Sequence, residues 1–202
     1  MGMVMVAIGL FSEAGIAAAL YYIVHSTLAG AALFLIADLV RTGRGHVGLT
    51  AEPAMKGAAL SAGLFFAAAI AMAGLPPLSG FLGKLLVLDA SYDNDLMVWI
   101  WVIVLGSSLI SILGFARAGS VLFWKARSID PVEIPQSGVI RPSAMSFAAA
   151  GGLVVMLVAH TVFAGQVHSY TTTMARTLFA PEAYIAKVLE TPGKLSKPKE
   201  AE

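Results

Sequence analysis

Four long apolar passages and one short one, separated by brief polar or charged loops, leave this chain few ways to fold. They cover residues 1–11, 13–40, 57–92, 95–124 and 143–164. A bilayer core takes roughly 20 apolar residues as helix, and a helix satisfies its own backbone donors and acceptors where water is absent. Composition agrees: 58% hydrophobic residues, only 12% charged and a mean hydropathy of +0.82 lie far outside the range of a soluble domain. The expected fold is therefore all-α, a polytopic transmembrane helical bundle. A net charge of +1 provides no basic field for nucleic acid, and the absence of cysteine removes disulfides and thiolate metal sites.

The third passage contains "AMAGLPPLSGFLGKLLVLDA", residues 71–90. Pro76 and Pro77 lack backbone N–H groups and crowd the preceding turn, while Gly74, Gly80 and Gly83 let the chain bend and other backbones approach. This predicts one discontinuous helix, broken at Pro76–Pro77. Loop charge gives the orientation. Arg41, Arg44 and Lys56 in one loop, and Arg117, Lys125, Arg127 and Arg141 in another, read as cytoplasmic, whereas Asp89, Asp93 and Asp95 read as external. Both assignments hold only if 57–92 crosses once, so the break lies inside a single span.

The apolar start has no basic n-region, so no cleaved signal peptide is expected and the sequence reads as beginning inside a longer protein. Ser12 is placed to cap the next helix, with Glu13 in its first turn. Residues 1–164 form the expected transmembrane region and 165–202 an extramembrane tail. The tail contains a short amphipathic helix at about 181–190, with Tyr184, Ile185, Val188 and Leu189 on one side, and a polar, Pro-rich, disordered end.

Lys84 is the foremost candidate site, because a charge near membrane depth costs at least about 2.5–3.5 kcal/mol. A broken helix at depth exposes carbonyls and amides that only protein or a wet cavity can satisfy. Lys84 is then either a proton-relay residue or a lysine that snorkels to the interface beside a simple kink. His25 is either a relay or a packed imidazole, with Tyr21 and Tyr22 on its face and Ser26 and Thr27 adding hydroxyls. Asp38 could feed protons inward, but its spacing to Arg41 favours a plain ion pair. His160 is expected at the outer interface. There is no Gly-rich phosphate loop, HExxH, CxxC or nucleophile elbow, so no catalytic residue, cofactor or metal is expected.

"YYIVHSTLAGAALFLIADL" followed by "AMAGLPPLSGFLGKLLVL" resembles the C-terminal part of the antiporter-like membrane subunits shared by complex I and the Mrp multisubunit cation/proton antiporters. The ending "LFAPEAYIAKVL" looks most like the D subunit of Mrp, also called Pha or Mnh. The resemblance implies about fourteen helices arranged as two inverted repeats, of which this chain supplies the second broken helix and the helices after it. It places Lys84 on the ionisable residue after the "GF" of that helix and His25 on the histidine of the helix before it. Many relatives carry a lysine where this chain has Gly30, so water or hydroxyls around Ser26 and Thr27 would have to bridge. The first broken helix has no counterpart in these 202 residues.

The implied function is a proton-translocating subunit, or fragment of one, in a monovalent cation/proton antiporter of a bacterial inner membrane. The implied partners are other membrane subunits, the lipid bilayer, protons and a monovalent cation such as sodium. Two alternatives are a membrane-arm proton-channel subunit of an NADH:quinone oxidoreductase or related hydrogenase, and an inactive structural subunit.

Overall fold

A computed structural model describes residues 1–46, 48–55, 57–129 and 142–190. Among these the fold is all-α: α1 (Gly2–Gly9), α2 (Glu13–Arg44), α3 (Ala58–Ala73), α4 (Ser79–Ala90), α5 (Met97–Gly119), α6 (Ala144–Val162), α7 (Ala164–Phe179) and α8 (Glu182–Glu190). A π turn at Ser120–Trp124 and a 3-10 turn at Lys125–Ser128 extend α5. α2, α5 with its π turn, and α6 are each long and apolar enough to cross a membrane. Lys56, Arg141 and the terminal segment expected to be disordered lie outside the described residues.

α2 organises the bundle. It starts where Ser12, in extended conformation, accepts a hydrogen bond at Oγ from the Gly15 N–H at 3.0 Å. It stops at Gly45, whose φ of 82° ends the helix, with Arg41 and Arg44 in the last turn facing the negative end of the dipole. Its 32 residues span about 48 Å at roughly 1.5 Å per residue. α1, α3, α4, α6 and α7 all pack on it. Lipid tails are as apolar as leucine, so close packing of small side chains and polar contacts hold such helices together. Ala17, Ala18, Ala19, Ala29 and Ala32 of α2 are buried accordingly.

One apolar cluster surrounds Ile36, Leu39, Phe65 and Phe123, and another surrounds Val4, Ala19, Tyr22 and Val87. Along α2, buried His25 and a third apolar cluster of Ala29, Ala71 and Leu157 lie between them.

The ends of the bundle are chemically distinct. Arg44 Nη2 donates to the Leu122 carbonyl at 2.9 Å, which brings the two basic loops to one end. Leu10, Ser12, Asp89, Tyr92 and Asp93 border one cavity at the other. α3 and α4 together therefore run from the basic end to the acidic end, with a break between them. α5 is peripheral, with Trp99 and Trp124 exposed, while Trp101 Nε1 donates to Ser91 Oγ at 3.1 Å.

Beyond residue 164 the sequence predicts helix only at about 181–190, and the structure adds α7. The Phe163 N–H bonds to the Ala159 carbonyl at 2.9 Å and its own carbonyl accepts from the Val167 N–H at 3.0 Å, so α6 runs almost directly into α7. The polar "SYTTT" stretch disfavours helix in isolation. Here Thr172, Thr173 and Thr177 return their hydroxyls to carbonyls four residues back, and Thr171 and Ala175 are buried. Packing on α2 overrides the local preference. Every described side chain of α8 is exposed.

At the basic end His46 Nε2 lies 2.7 Å from Glu52 Oε1, and the Thr50 hydroxyl donates to the same oxygen at 2.8 Å. The Thr50 hydrogen bond, followed by His46 and Arg44, holds the Glu52 carboxyl below its ordinary range. A carboxyl lowered in the folded state stabilises the loop above its unfolded value, and that contribution is lost as pH falls through the folded one. The site is solvent-exposed, so the effect is at most about 1 kcal/mol. The protection of the Leu49 and Thr50 amides, taken as the observed exchange rate relative to the intrinsic rate at each pH, should fall on acidification through this range. A Glu52→Gln variant should show low protection throughout; a wild-type protection factor that does not change with pH would show that the clasp does not order the loop.

Candidate functional site

The break follows from two missing donors. In a continuous helix the N–H groups of residues 76 and 77 would bond the carbonyls of Met72 and Ala73, but both positions are proline. α3 ends at Gly74, whose φ of 74° is open to glycine and strained for other residues. The Gly74 N–H reaches the Ile70 and Ala71 carbonyls at 3.1 Å each, and the Leu75 N–H reaches Ile70 at 3.1 Å. Ala73 is left with a free carbonyl at the negative end of α3.

Lys84, one and a half turns into α4, fills that position. Its Nζ donates to the Ala73 carbonyl at 2.5 Å and to Ser108 Oγ of α5 at 2.7 Å. Ser108 in turn donates to the Val104 carbonyl at 2.7 Å, so its lone pair is available to the amine. The side chain lies flat along Gly74, where a Cβ would come within 2.6 Å of Nζ. Lys84 is 9% exposed and, among the described residues, no carboxylate pairs with it. Its charge is met by the carbonyl end of a half-helix. An ammonium group has three donors and two are used here, so the amine can lose the third proton and keep both bonds.

His25 approaches the other side of the break. It is fully buried, with Nδ1 2.9 Å from the hydroxyl of Ser79, the first residue of α4. Close approach requires glycine here: a Cβ on Gly80 would collide with the Ala71 carbonyl and come within 2.7 Å of His25 Nε2. One on Gly83 would come within 2.7 Å of the Tyr22 ring. Tyr22 packs edge-on against His25 with ring centroids 5.3 Å apart. Lys84 and His25 thus flank one break.

The remaining candidates separate. Tyr21 is fully buried, one turn before His25 on α2. Ser26 donates back to the Ile23 carbonyl of its own helix at 3.2 Å, and Thr27 is exposed. Asp38 is held by Arg41 Nη2 at 2.7 Å on the surface. Pro76 and Pro77 are exposed, joined by a cis peptide bond, with Gly74, Gly80 and Gly83 on the inner side. His160, in the last turn of α6, is 7% exposed and stacks on Tyr21 with ring centroids 4.5 Å apart. The two serines that touch the titratable groups, Ser79 and Ser108, escaped the sequence reading. The available signal was hydroxyls inside otherwise apolar passages.

Residues 1–111 match the family described as "NADH:quinone oxidoreductase/Mrp antiporter, TM". The chain is 27% identical over 196 residues to the D subunit of the Na(+)/H(+) antiporter of Alkalihalophilus pseudofirmus, covering 94% of this chain and 37% of that protein. It is 30% identical over 225 residues to the D subunit of the probable K(+)/H(+) antiporter of Rhizobium meliloti, covering 95% and 40%. The chain thus spans about two fifths of the length of these relatives. In structure it resembles a chain of the Mrp complex from a Dietzia species, with a TM-score of 0.71, 24% identity, and coverage of 93% of this chain and 42% of that one. With more than half of its residues matched and the fold shared, this membrane chain belongs to the NADH:quinone oxidoreductase/Mrp antiporter transmembrane family.

Proposed function

We propose that the chain forms a proton-translocating part of a multisubunit monovalent cation/proton antiporter in a bacterial inner membrane, working with other membrane subunits. The observation that carries this reading is Lys84, buried in a helix break and bonded to the carbonyl that Pro77 leaves free. Such an amine can cycle between charged and neutral forms without losing its position, and His25, bonded to Ser79 across the break, is the relay. Named relatives include the D subunits of both a Na(+)/H(+) and a K(+)/H(+) antiporter, which supports exchange of a monovalent cation for protons, with sodium as one candidate. The family also includes NADH:quinone oxidoreductase subunits, so a redox-driven membrane arm is the second reading.

Proton-driven cation exchange by the complete complex in inverted vesicles tests the proposal. Lys84→Ala should assemble and abolish exchange; normal exchange by an assembled Lys84→Ala complex overturns it. His25→Ala should slow exchange on the order of tenfold, a smaller loss because water can replace a relay. An unchanged rate and pH profile would make His25 a packing residue.

A further inference from the structure

Among the described residues, five buried side-chain polar atoms have no hydrogen-bond partner, and three belong to one patch: Tyr21 Oη, His25 Nε2 and His160 Nε2. Tyr21 and His25 are four residues apart on α2 and so share a face. His160, from α6, stacks on Tyr21 at 4.5 Å with an interplanar angle of 31°. Stacking explains an aromatic ring at this position and a backbone interaction with Tyr21 engages the imidazole, but its Nε2 is left without a partner. Burying an imidazole nitrogen and a phenol hydroxyl without partners costs stability that Phe at both positions would spare. Groups of this kind characteristically hold ordered water. A further buried imidazole nitrogen without a partner, His168 Nδ1, lies two turns along the same α6–α7 rod.

We propose that His160 is a second proton-accepting imidazole of this channel, joined to His25 by water held against the Tyr21 hydroxyl. The inference rests on the proton-translocating reading above. In the step, imidazolium His25 gives its Nε2 proton to the water and becomes neutral. The water passes one of its own protons to Nε2 of His160, which becomes imidazolium. The titratable groups around the patch are Tyr21, Tyr22 and His25 on α2 and Lys84 on α4. A proton arriving at Lys84 would then have a route from the break to α6.

The test measures rate and pH profile of exchange by the complete complex, with assembly verified, in His160→Gln, His160→Phe, Tyr21→Phe and Lys84→Ala. His160→Gln keeps a hydrogen-bonding side chain and His160→Phe keeps the stacked ring, yet neither can carry a proton. Both should slow exchange on the order of tenfold and change its pH profile. Tyr21→Phe, which removes one oxygen, should slow it by less.

A His160→Phe complex with wild-type rate and pH profile overturns the inference, because stacking would then be the whole role. If neither His160 variant assembles, Tyr21→Phe decides: slowed exchange supports the inference, and a wild-type rate and profile overturns it. Lys84→Ala separates the two levels of argument. Loss of exchange there with a wild-type His160→Phe removes only the His160 step, whereas normal exchange in Lys84→Ala removes the parent reading and the His160 step with it.

Discussion

In the complete complex, Lys84→Arg should lose proton-coupled exchange as fully as Lys84→Ala, by at least about 100-fold, although it keeps the charge. A guanidinium does not release its proton in proteins, so the arginine could balance the carbonyl end of α3 but not carry a proton. Space argues the same way. The lysine stem lies against Gly74, and Nζ sits between the Ala73 carbonyl and Ser108 Oγ, a position shaped for a compact ammonium rather than a planar fork. Lys84→Ala leaves the Ala73 carbonyl unpaired at a cost of about 1–3 kcal/mol, a tolerable loss for a large membrane assembly. Measuring ΔpH-driven exchange in inverted vesicles separates the roles. An Lys84→Arg complex that exchanges at the normal rate would show that Lys84 supplies fixed charge and does not titrate.

Gly80→Ala should act on the fold rather than the chemistry. The added Cβ would overlap the Ala71 carbonyl of α3 and press on the His25 ring of α2, so one small group would strain three helices. The Ala71 oxygen is backbone and cannot rotate away. Overpacking costs roughly 1–3 kcal/mol when side chains can adjust, and the rigid contact puts this substitution at or above that range. The expected result is a much lower yield of assembled complex and a lowered Tm. Gly63→Ala is the control, because a Cβ there meets nothing within 4 Å and α3 gains an alanine in its interior. Equal yield and Tm for the two variants would refute the close approach of α2, α3 and α4 at Gly80.

Legibility in the sequence followed the range of the interaction. The Ser12 cap, the pairing of Asp38 with Arg41 and the break at Pro76–Pro77 all arise within a few residues, and each was readable. The partners of Lys84, a half-helix carbonyl and a serine hydroxyl, come from 11 and 24 residues away and no local pattern marks them. Proximity in the chain points to Ser26 and Thr27 as the hydroxyls beside His25. Ser26 instead bonds its own helix and Thr27 faces outward, while the hydroxyl that reaches His25 belongs to Ser79, 54 residues away. α7 is not legible in the sequence because its serines and threonines argue against helix until α2 packs against them.

The sequence alone determined that the chain crosses a membrane as helices, that one crossing is interrupted, and that an amine lies just beyond the interruption. Apolar length and proline's missing donor are enough for that, since both act along the chain. Only the tertiary structure decided which groups meet at the interruption: Ala73 and Ser108 on Lys84, Ser79 on His25, and Tyr21 against His160. Those contacts join helices far apart in sequence, and they depend on how closely glycine and alanine let the backbones approach, which no periodicity records.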